Sequence, residues 1–205
     1  RFPFYSLRTG ILAQLAILIV SAMLLINVVM VKFAEKDLFR AKLQTGRAIL
    51  GMLKQRVGKE IMEKRGELFN LGSDPRIQEE INQLVMTGGF DRVLMVDNVS
   101  AKVFSAGSWD NREHEALSLC RGALATGEES FDFSGTTWGV IWLGKKRLHM
   151  AAPLLHEGRL SGALAIGVDL DPLYASLRES EKVILTYIFL NAIVLVLVGF
   201  HLLSR

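Results

Sequence analysis

Two tryptophans, an arginine and a histidine lie close together in the second half of the chain and could bind a small molecule. Residues 136–143 have the alternation of a strand, which places Trp138 and Trp142 on one face, and the next strand-like stretch places Arg147 and His149 on one face. Two indole rings beside a cation and an imidazole could line a cavity for a small anionic or aromatic ligand, and a guanidinium group suits a carboxylate. We therefore predict a ligand-binding site at Trp138, Trp142, Arg147 and His149. The alternative is structural: the tryptophans belong to the core and Arg147 is solvated at the start of its strand.

Catalytic motifs are not found in the sequence. The pairs His114-Glu115 and His156-Glu157 do not continue to the zinc-binding pattern His-Glu-x-x-His, and there is no Walker loop and no Gly-x-Ser-x-Gly. The lone cysteine, Cys120, excludes an intrachain disulfide and lies on a helical apolar face, where a buried structural thiol is expected. We predict no catalytic residue, metal site or cofactor in this chain, and leave open whether a longer protein is an enzyme.

Two long apolar runs predict transmembrane helices. Residues 10–31 and residues 183–203 contain no charged side chain, and the mean hydropathy of the chain is +0.30. Each run is long enough to cross a hydrocarbon core of about 30 Å at about 1.5 Å per residue. This excludes a simple soluble enzyme. A cleaved signal peptide is the alternative for the first run, but that run is longer than a typical signal core and no Ala-x-Ala site follows it.

The charge distribution predicts how the chain is oriented in the membrane. Arg1, Arg8 and Arg205 lie outside the apolar runs and account for the net charge of +3, so the segment between the runs is neutral. A neutral segment without a clustered basic face does not predict nucleic-acid binding. Arginines in short tails beside membrane spans mark the cytoplasmic side. We predict cytoplasmic segments at 1–9 and 204–205, an extracytoplasmic domain at 32–182, and a fragment of a longer protein.

The segment between the spans has the pattern of an α+β domain. Residues 32–70 lack proline and predict a long helix that continues the first span. Ser73 or Asp74 is expected to cap a second helix that has Pro75 in its first turn and ends at Gly88-Gly89. The rest predicts a hairpin (93–97 and 102–105), a helix (113–126), three strands (136–143, 147–155 and 160–170), and a last helix that begins at Asp171 and runs into the second span.

Five strands joined in this order make a small antiparallel sheet. We expect the long helix to cover one face of the sheet and the other face to be free for a pocket. Ala163, Ala165 and Gly167 share one face of the last strand. Because small residues let a helix approach closely, we predict that this face lies under the long helix.

Four stretches make the chain resemble the sensor region of a bacterial transmembrane receptor of the PAS-like Cache (PDC) type. They are residues 71–78, residues 93–97, residues 150–173 and the two apolar runs; the third has a strand ending in Pro-Leu, a tight turn, a Gly-rich strand and a capped helix. The resemblance implies a five-stranded antiparallel PAS-like sheet with a long N-terminal helix between two transmembrane helices of the inner membrane. It also implies a parallel homodimer. Citrate- and dicarboxylate-sensing relatives have a Ser-His-Pro type segment where this chain has Ser105-Ala106-Gly107, which argues against dicarboxylate specificity.

Two classes of function follow. The first is a ligand-sensing receptor for a small molecule such as an organic acid, whose output domain lies outside this chain. The resemblance implies a two-component histidine kinase signalling to a response regulator, or otherwise a chemotaxis transducer or a diguanylate cyclase. The second class is a membrane-anchored protein-interaction module with no small ligand.

Overall fold

The computed structural model describes residues 7–63, 74–109, 113–135, 144–156 and 159–204. In chain order, the helices and strands are α1 (Leu7–Glu63), α2 (Pro75–Thr87), β1 (Arg92–Asp97), β2 (Lys102–Ala106), α3 (Glu113–Thr126), β3 (Ser130–Ser134), β4 (Arg147–His156), β5 (Arg159–Asp169) and α4 (Asp171–Ser204). The chain divides into two compact units, one made of Arg1–Leu38 with Leu173–Arg205 and the other of Phe39–Pro172.

The first unit contains the apolar parts of α1 and α4. Both helices are long and apolar enough to cross a membrane, over Gln14–Ile61 and Asp171–Gly199. Large apolar side chains such as Leu18, Leu25 and Leu190 are exposed along them. Exposed apolar surface of this extent suits lipid better than water.

Helix α1 is continuous, as the sequence predicts. It runs without interruption from the first apolar run to Glu63, and the rest of the predicted helix, residues 64–70, lies outside the described residues. Its inward side is fully buried at Leu50, Leu53 and Val57. Burial of this apolar stripe explains why the helix tolerates the glycines within it, each of which costs about 1 kcal/mol relative to alanine in an isolated helix.

Helix α2 begins and ends at the predicted residues. The Asp74 side chain caps it by accepting the backbone N–H of Arg76 at 3.0 Å, and Pro75 is its first residue. Gly88 follows its last turn, and Gly89 has a φ of +69°, which favours glycine.

The five strands form one antiparallel sheet in the order β2-β1-β5-β4-β3. Four strands and α3 lie where the sequence predicts them. The strand β3, Ser130–Ser134, was not predicted from the sequence, and the strand predicted at residues 136–143 lies outside the described residues. Phe131 and Phe133 alternate with polar residues in β3, a strand-like period that the polar residues just before it obscured.

The two faces of the sheet are covered by different helices. One face carries large side chains and packs against α1: Phe133 contacts Phe39 with ring centroids 5.1 Å apart, and Met150 lies against Gly46. The other face carries Ala163 and Ala165, which form a buried cluster with the inward residues of α3, namely Ala116, Cys120 and Ala123.

The prediction that the small-residue face lies under the long helix was therefore wrong. The rule that small residues admit a helix closely holds, but the helix it applies to is α3, which also presents small residues. That face is consequently not free along its whole length. It is covered by α3 over the alanines and carries a polar cluster where β4 begins and β5 ends.

Candidate functional site

Two of the four predicted site residues lie within the described part of the chain, and they share a face as predicted. Arg147 and His149 are both on the α3 side of β4, in phase with Ala151. Neither is solvated, because Arg147 is 3% and His149 is 2% exposed. The structural alternative for Arg147, a solvated residue at a strand start, is thereby excluded. Trp138 and Trp142 lie outside the described residues.

The strand register brings further side chains to the same corner of the sheet. Arg147 is opposite Asp169 of β5, and His149 is opposite Gly167. Gly167 is in turn opposite Arg92 at the start of β1. Since residues directly opposite one another point to the same face, Arg92 and Asp169 belong to the cluster.

Asp169 joins the two arginines. Its Oδ1 accepts a hydrogen bond from Arg147 Nε at 2.8 Å, and its Oδ2 accepts one from Arg92 Nη2 at 2.7 Å. Asp91 also pairs with Arg92, at 3.3 Å from Oδ1 to Nε. Arg92 is 4% exposed, so two guanidinium groups are held almost completely away from solvent. In these contacts Asp91 pairs with Arg92 and not with Arg147. The carboxylate that pairs with Arg147 is that of Asp169, which also pairs with Arg92.

His149 lies between an indole ring and a carboxylate. Its ring centroid is 5.7 Å from that of Trp109, and its Nδ1 is 3.9 Å from Glu115 Oε2 on α3. Burial lowers the pKa of His149 below its usual range, Glu115 opposes this shift, and the positive charges of Arg92 and Arg147 add to it. At neutral pH the imidazole is therefore uncharged, and each ring nitrogen is a donor or an acceptor according to the tautomer.

Three buried polar atoms of this cluster have no hydrogen-bond partner among the described residues. They are Arg147 Nη1, His149 Nε2 and Trp109 Nε1. Trp109 and His149 both approach Gly167 closely, so their rings share the space that a side chain at position 167 would take. An unpaired buried donor costs about 1–3 kcal/mol, and native proteins leave few of them. The atoms present together suit a ligand that has an acceptor for the guanidinium group and a flat or apolar part for the indole ring.

Three residues of the cluster were not predicted from the sequence, namely Arg92, Trp109 and Asp169. Arg92 is the first residue of β1 and Asp169 is the last residue of β5. A charged residue at such a position indicates only where a strand begins or ends. Trp109 follows β2 outside any regular element, so no periodicity assigns it to a face. The signal that the sequence offered for Arg92 and Asp169 was a charged residue directly beside an apolar run.

Comparison with solved structures finds domains of bacterial sensory proteins. The chain is similar to the ligand-binding domain of the Pseudomonas aeruginosa amino-acid chemoreceptor PctC in complex with GABA (17% identity, 68% of this chain and 62% of that one, TM-score 0.43). It is similar to the sensor domain of the Vibrio cholerae histidine kinase DctB (13%, 75% and 59%, 0.40) and to the Escherichia coli DcuS sensor domain (16%, 65% and 97%, 0.37). The chain thus spans about three fifths of the first two structures. No protein-family model matches the sequence, and no curated protein matches it.

Proposed function

We propose that this chain is the ligand-sensing and transmembrane region of a bacterial receptor, with a two-component histidine kinase as its output. In this proposal residues 10–31 and 183–203 cross the inner membrane, and residues 32–182 form the extracytoplasmic sensor domain. The ends of the chain, 1–9 and 204–205, are cytoplasmic. A response regulator would be reached through the output domain, and a chemotaxis transducer or a diguanylate cyclase is the alternative output.

The observation that carries the ligand-sensing part of the proposal is the buried Nη1 of Arg147, which, like His149 Nε2 and Trp109 Nε1, has no hydrogen-bond partner among the described residues. A carboxylate bound there would accept from the guanidinium group in a charge-assisted hydrogen bond, about twice as strong as a neutral one. The Trp109 N–H and the His149 Nε2 lie on the same side and would orient the rest of the ligand. Trp138 and Trp142 remain proposed lining residues on the grounds given by the sequence. We therefore propose a small organic anion as the ligand.

Signalling would follow from a shift between two arrangements of the domain. A ligand changes that equilibrium only by its different affinity for the two arrangements. Asp169, which touches both buried arginines, is two residues before the first residue of α4. A change in the arginine cluster therefore has a short covalent path to the helix that contains the second apolar run.

A thermal-shift screen of the full chain in detergent micelles tests the proposal. The probes are acetate, succinate, benzoate, γ-aminobutyrate and L-serine. A ligand at one hundred times its Kd stabilises the folded state by about 2.7 kcal/mol, which raises the melting temperature measurably. We expect at least one probe to stabilise the parent, and expect the effect to be lost in Arg147→Ala but kept in Arg121→Ala, which removes an exposed arginine of α3.

The competing function is a membrane-anchored interaction module. It predicts no stabilisation by any small anion in the parent, because the same face would bind a protein or be filled by the chain itself. A screen in which no probe acts, or in which Arg121→Ala abolishes the effect as fully as Arg147→Ala, would favour this second class.

The parallel homodimer belongs to the same proposal. Ala41, Ala48 and Gln55 recur every seven residues on α1, and all three are exposed. The small side chains of Ala41 and Ala48, one heptad apart, would allow two parallel helices to pack closely there. Ala48→Cys should form a disulfide between two copies on mild oxidation, whereas Arg47→Cys, an exposed position one residue away, should form less. Equal crosslinking of the two variants would contradict this arrangement.

A further inference from the structure

Asp169 differs from the other acidic residues of the cluster because it pairs with both buried arginines. Its two oxygens bind two different buried arginines, at 2.8 Å and 2.7 Å. Its own side chain is 36% exposed, while those of Arg147 and Arg92 are 3% and 5% exposed. The partly exposed carboxylate of Asp169 thus pairs with two guanidinium groups that are buried.

The other charged groups around Arg147 do not take this role. Asp91 pairs with Arg92. Glu115 faces His149 at 3.9 Å, and Asp132 is opposite His149 in the register of β3 and β4. Asp169 accepts from Nε of Arg147, whereas Nη1 has no partner among the described residues. An anion that binds at Nη1 therefore draws on the same positive charge as Asp169 and repels its carboxylate, so the two compete for Arg147.

The last residues of β5 also connect this carboxylate to α4. Asp171, the first residue of α4, accepts the backbone N–H of Lys146 at 3.0 Å, and Leu170 N–H donates to the Lys146 carbonyl at 2.8 Å. Lys146 directly precedes Arg147. Arg147, which pairs with Asp169, and Lys146, which bonds to the start of α4, are consequently adjacent in the chain.

We infer that Asp169 is an internal competitor for the anionic ligand: its carboxylate holds Arg92 and Arg147 when the site is empty, and an entering anion displaces it from Arg147. The displacement loosens the end of β5 and with it the first turn of α4. Asp169 is thus a positioning residue that acts through the two arginines. This inference rests on the proposed function, because it requires an anion to bind at Arg147.

The test compares Asp169→Asn with Asp91→Asn in the full chain. Both variants remove one negative charge next to Arg92, but only the first removes the carboxylate from Arg147. Affinity is measured by calorimetry with the five probes of the screen. We expect Asp169→Asn to bind the carboxylate probes at least about threefold more tightly than the parent, a modest factor because the competing carboxylate is partly exposed to solvent. Asp91→Asn should change the affinity by less than about twofold.

The direction of the change separates the inference from a structural role. If Asp169 only supported the fold, its loss would misplace Arg147 and weaken binding. Unchanged or weaker binding by a folded Asp169→Asn variant therefore overturns the inference while the proposed function stands. Absence of binding by both the parent and Asp169→Asn overturns the proposed function itself, and the inference falls with it.

Hydrogen exchange in the unsubstituted protein supplies a second measurement that does not depend on any variant folding. We expect the amides of residues 171–176 to exchange faster when a stabilising carboxylate probe is bound, although binding slows exchange in the strands. Exchange at residues 171–176 that is unchanged or slower with the probe bound contradicts the displacement of Asp169.

Discussion

Single residues set the geometry of the candidate site, and Gly167 is the one whose missing side chain matters most. A Cβ at position 167 would lie 2.9 Å from His149 Cδ2 and 3.4 Å from Trp109 Cη2. Both rings are buried, so neither moves aside easily. The site therefore depends on a glycine that the backbone conformation itself does not require.

Gly167→Ala should destabilise the domain and weaken probe binding together. Overpacking of this kind typically costs about 1–3 kcal/mol, and the displaced His149 ring would no longer present its Nε2 as before. Thermal denaturation and calorimetry measure the two effects. Gly122→Ala, on the exposed side of α3 with nothing within 4 Å of the added Cβ, is the control and should keep the parent's affinity. Parent-like affinity in Gly167→Ala would argue against His149 and Trp109 as parts of the site.

His149 should make the stability of the domain depend on pH. Burial lowers the pKa of His149 from 6.5, so the unfolded chain takes up a proton at a higher pH than the folded one does. The stabilisation is complete above about pH 6.5 and is lost as the pH falls through the lower pKa of the folded state. Melting temperatures of the parent and of His149→Gln, measured from pH 7.5 to pH 5, should show the steeper loss in the parent. Parallel curves would mean that His149 titrates normally.

Among the elements, α1 packs on the sheet through a glycine, and its other glycines serve no such purpose. An added Cβ at Gly46 would collide with the Met150 sulfur and lie 2.9 Å from Phe90 Cζ, whereas at Gly51 it would meet nothing within 4 Å. The same amino acid in one helix is therefore required at one position and merely tolerated at another.

Alanine at these two positions should shift stability in opposite directions. Gly46→Ala should cost about 1–3 kcal/mol because α1 must move away from the sheet or Met150 and Phe90 must repack. Gly51→Ala should gain up to about 1 kcal/mol from helix propensity alone. Chemical denaturation of the full chain in micelles measures both. Stabilisation by both substitutions would show that α1 is not packed closely at Gly46.

At the scale of the whole molecule, the proposed orientation in the membrane can be tested by labelling cysteines introduced at chosen positions. This is possible because the chain's own cysteine is not expected to react. Cys120 is buried, and burial raises its pKa to about 12, so it should not react with maleimides. Val99 lies in the turn between β1 and β2 and is 77% exposed.

A membrane-impermeant maleimide should label Val99→Cys in intact cells and leave the parent unlabelled. Thr9→Cys, in the segment proposed to be cytoplasmic, should be labelled only after lysis. The reverse pattern, with Thr9→Cys accessible in intact cells and Val99→Cys protected, would place the domain in the cytoplasm and contradict the proposal.

The sequence alone determined the features that depend on neighbouring residues. Residues 10–31 and 183–203 are apolar runs, Asp74 and Pro75 begin a helix by local hydrogen bonding and backbone restriction, and the period of two in β4 placed Arg147 and His149 together. Each of these depends on residues only a few positions apart, so no knowledge of the rest of the chain is needed. The four strands predicted correctly belong to the same class of inference.

Tertiary structure decided which of these features meet. Arg92 and Asp169 are 77 residues apart and pair because β1 and β5 are neighbours in the sheet. The alanines of β5 are covered by α3, although a long helix elsewhere in the chain had an equally suitable apolar side. Local pattern fixes the face on which a side chain lies, but strand order and register decide its neighbours, and these follow from packing the whole domain at once.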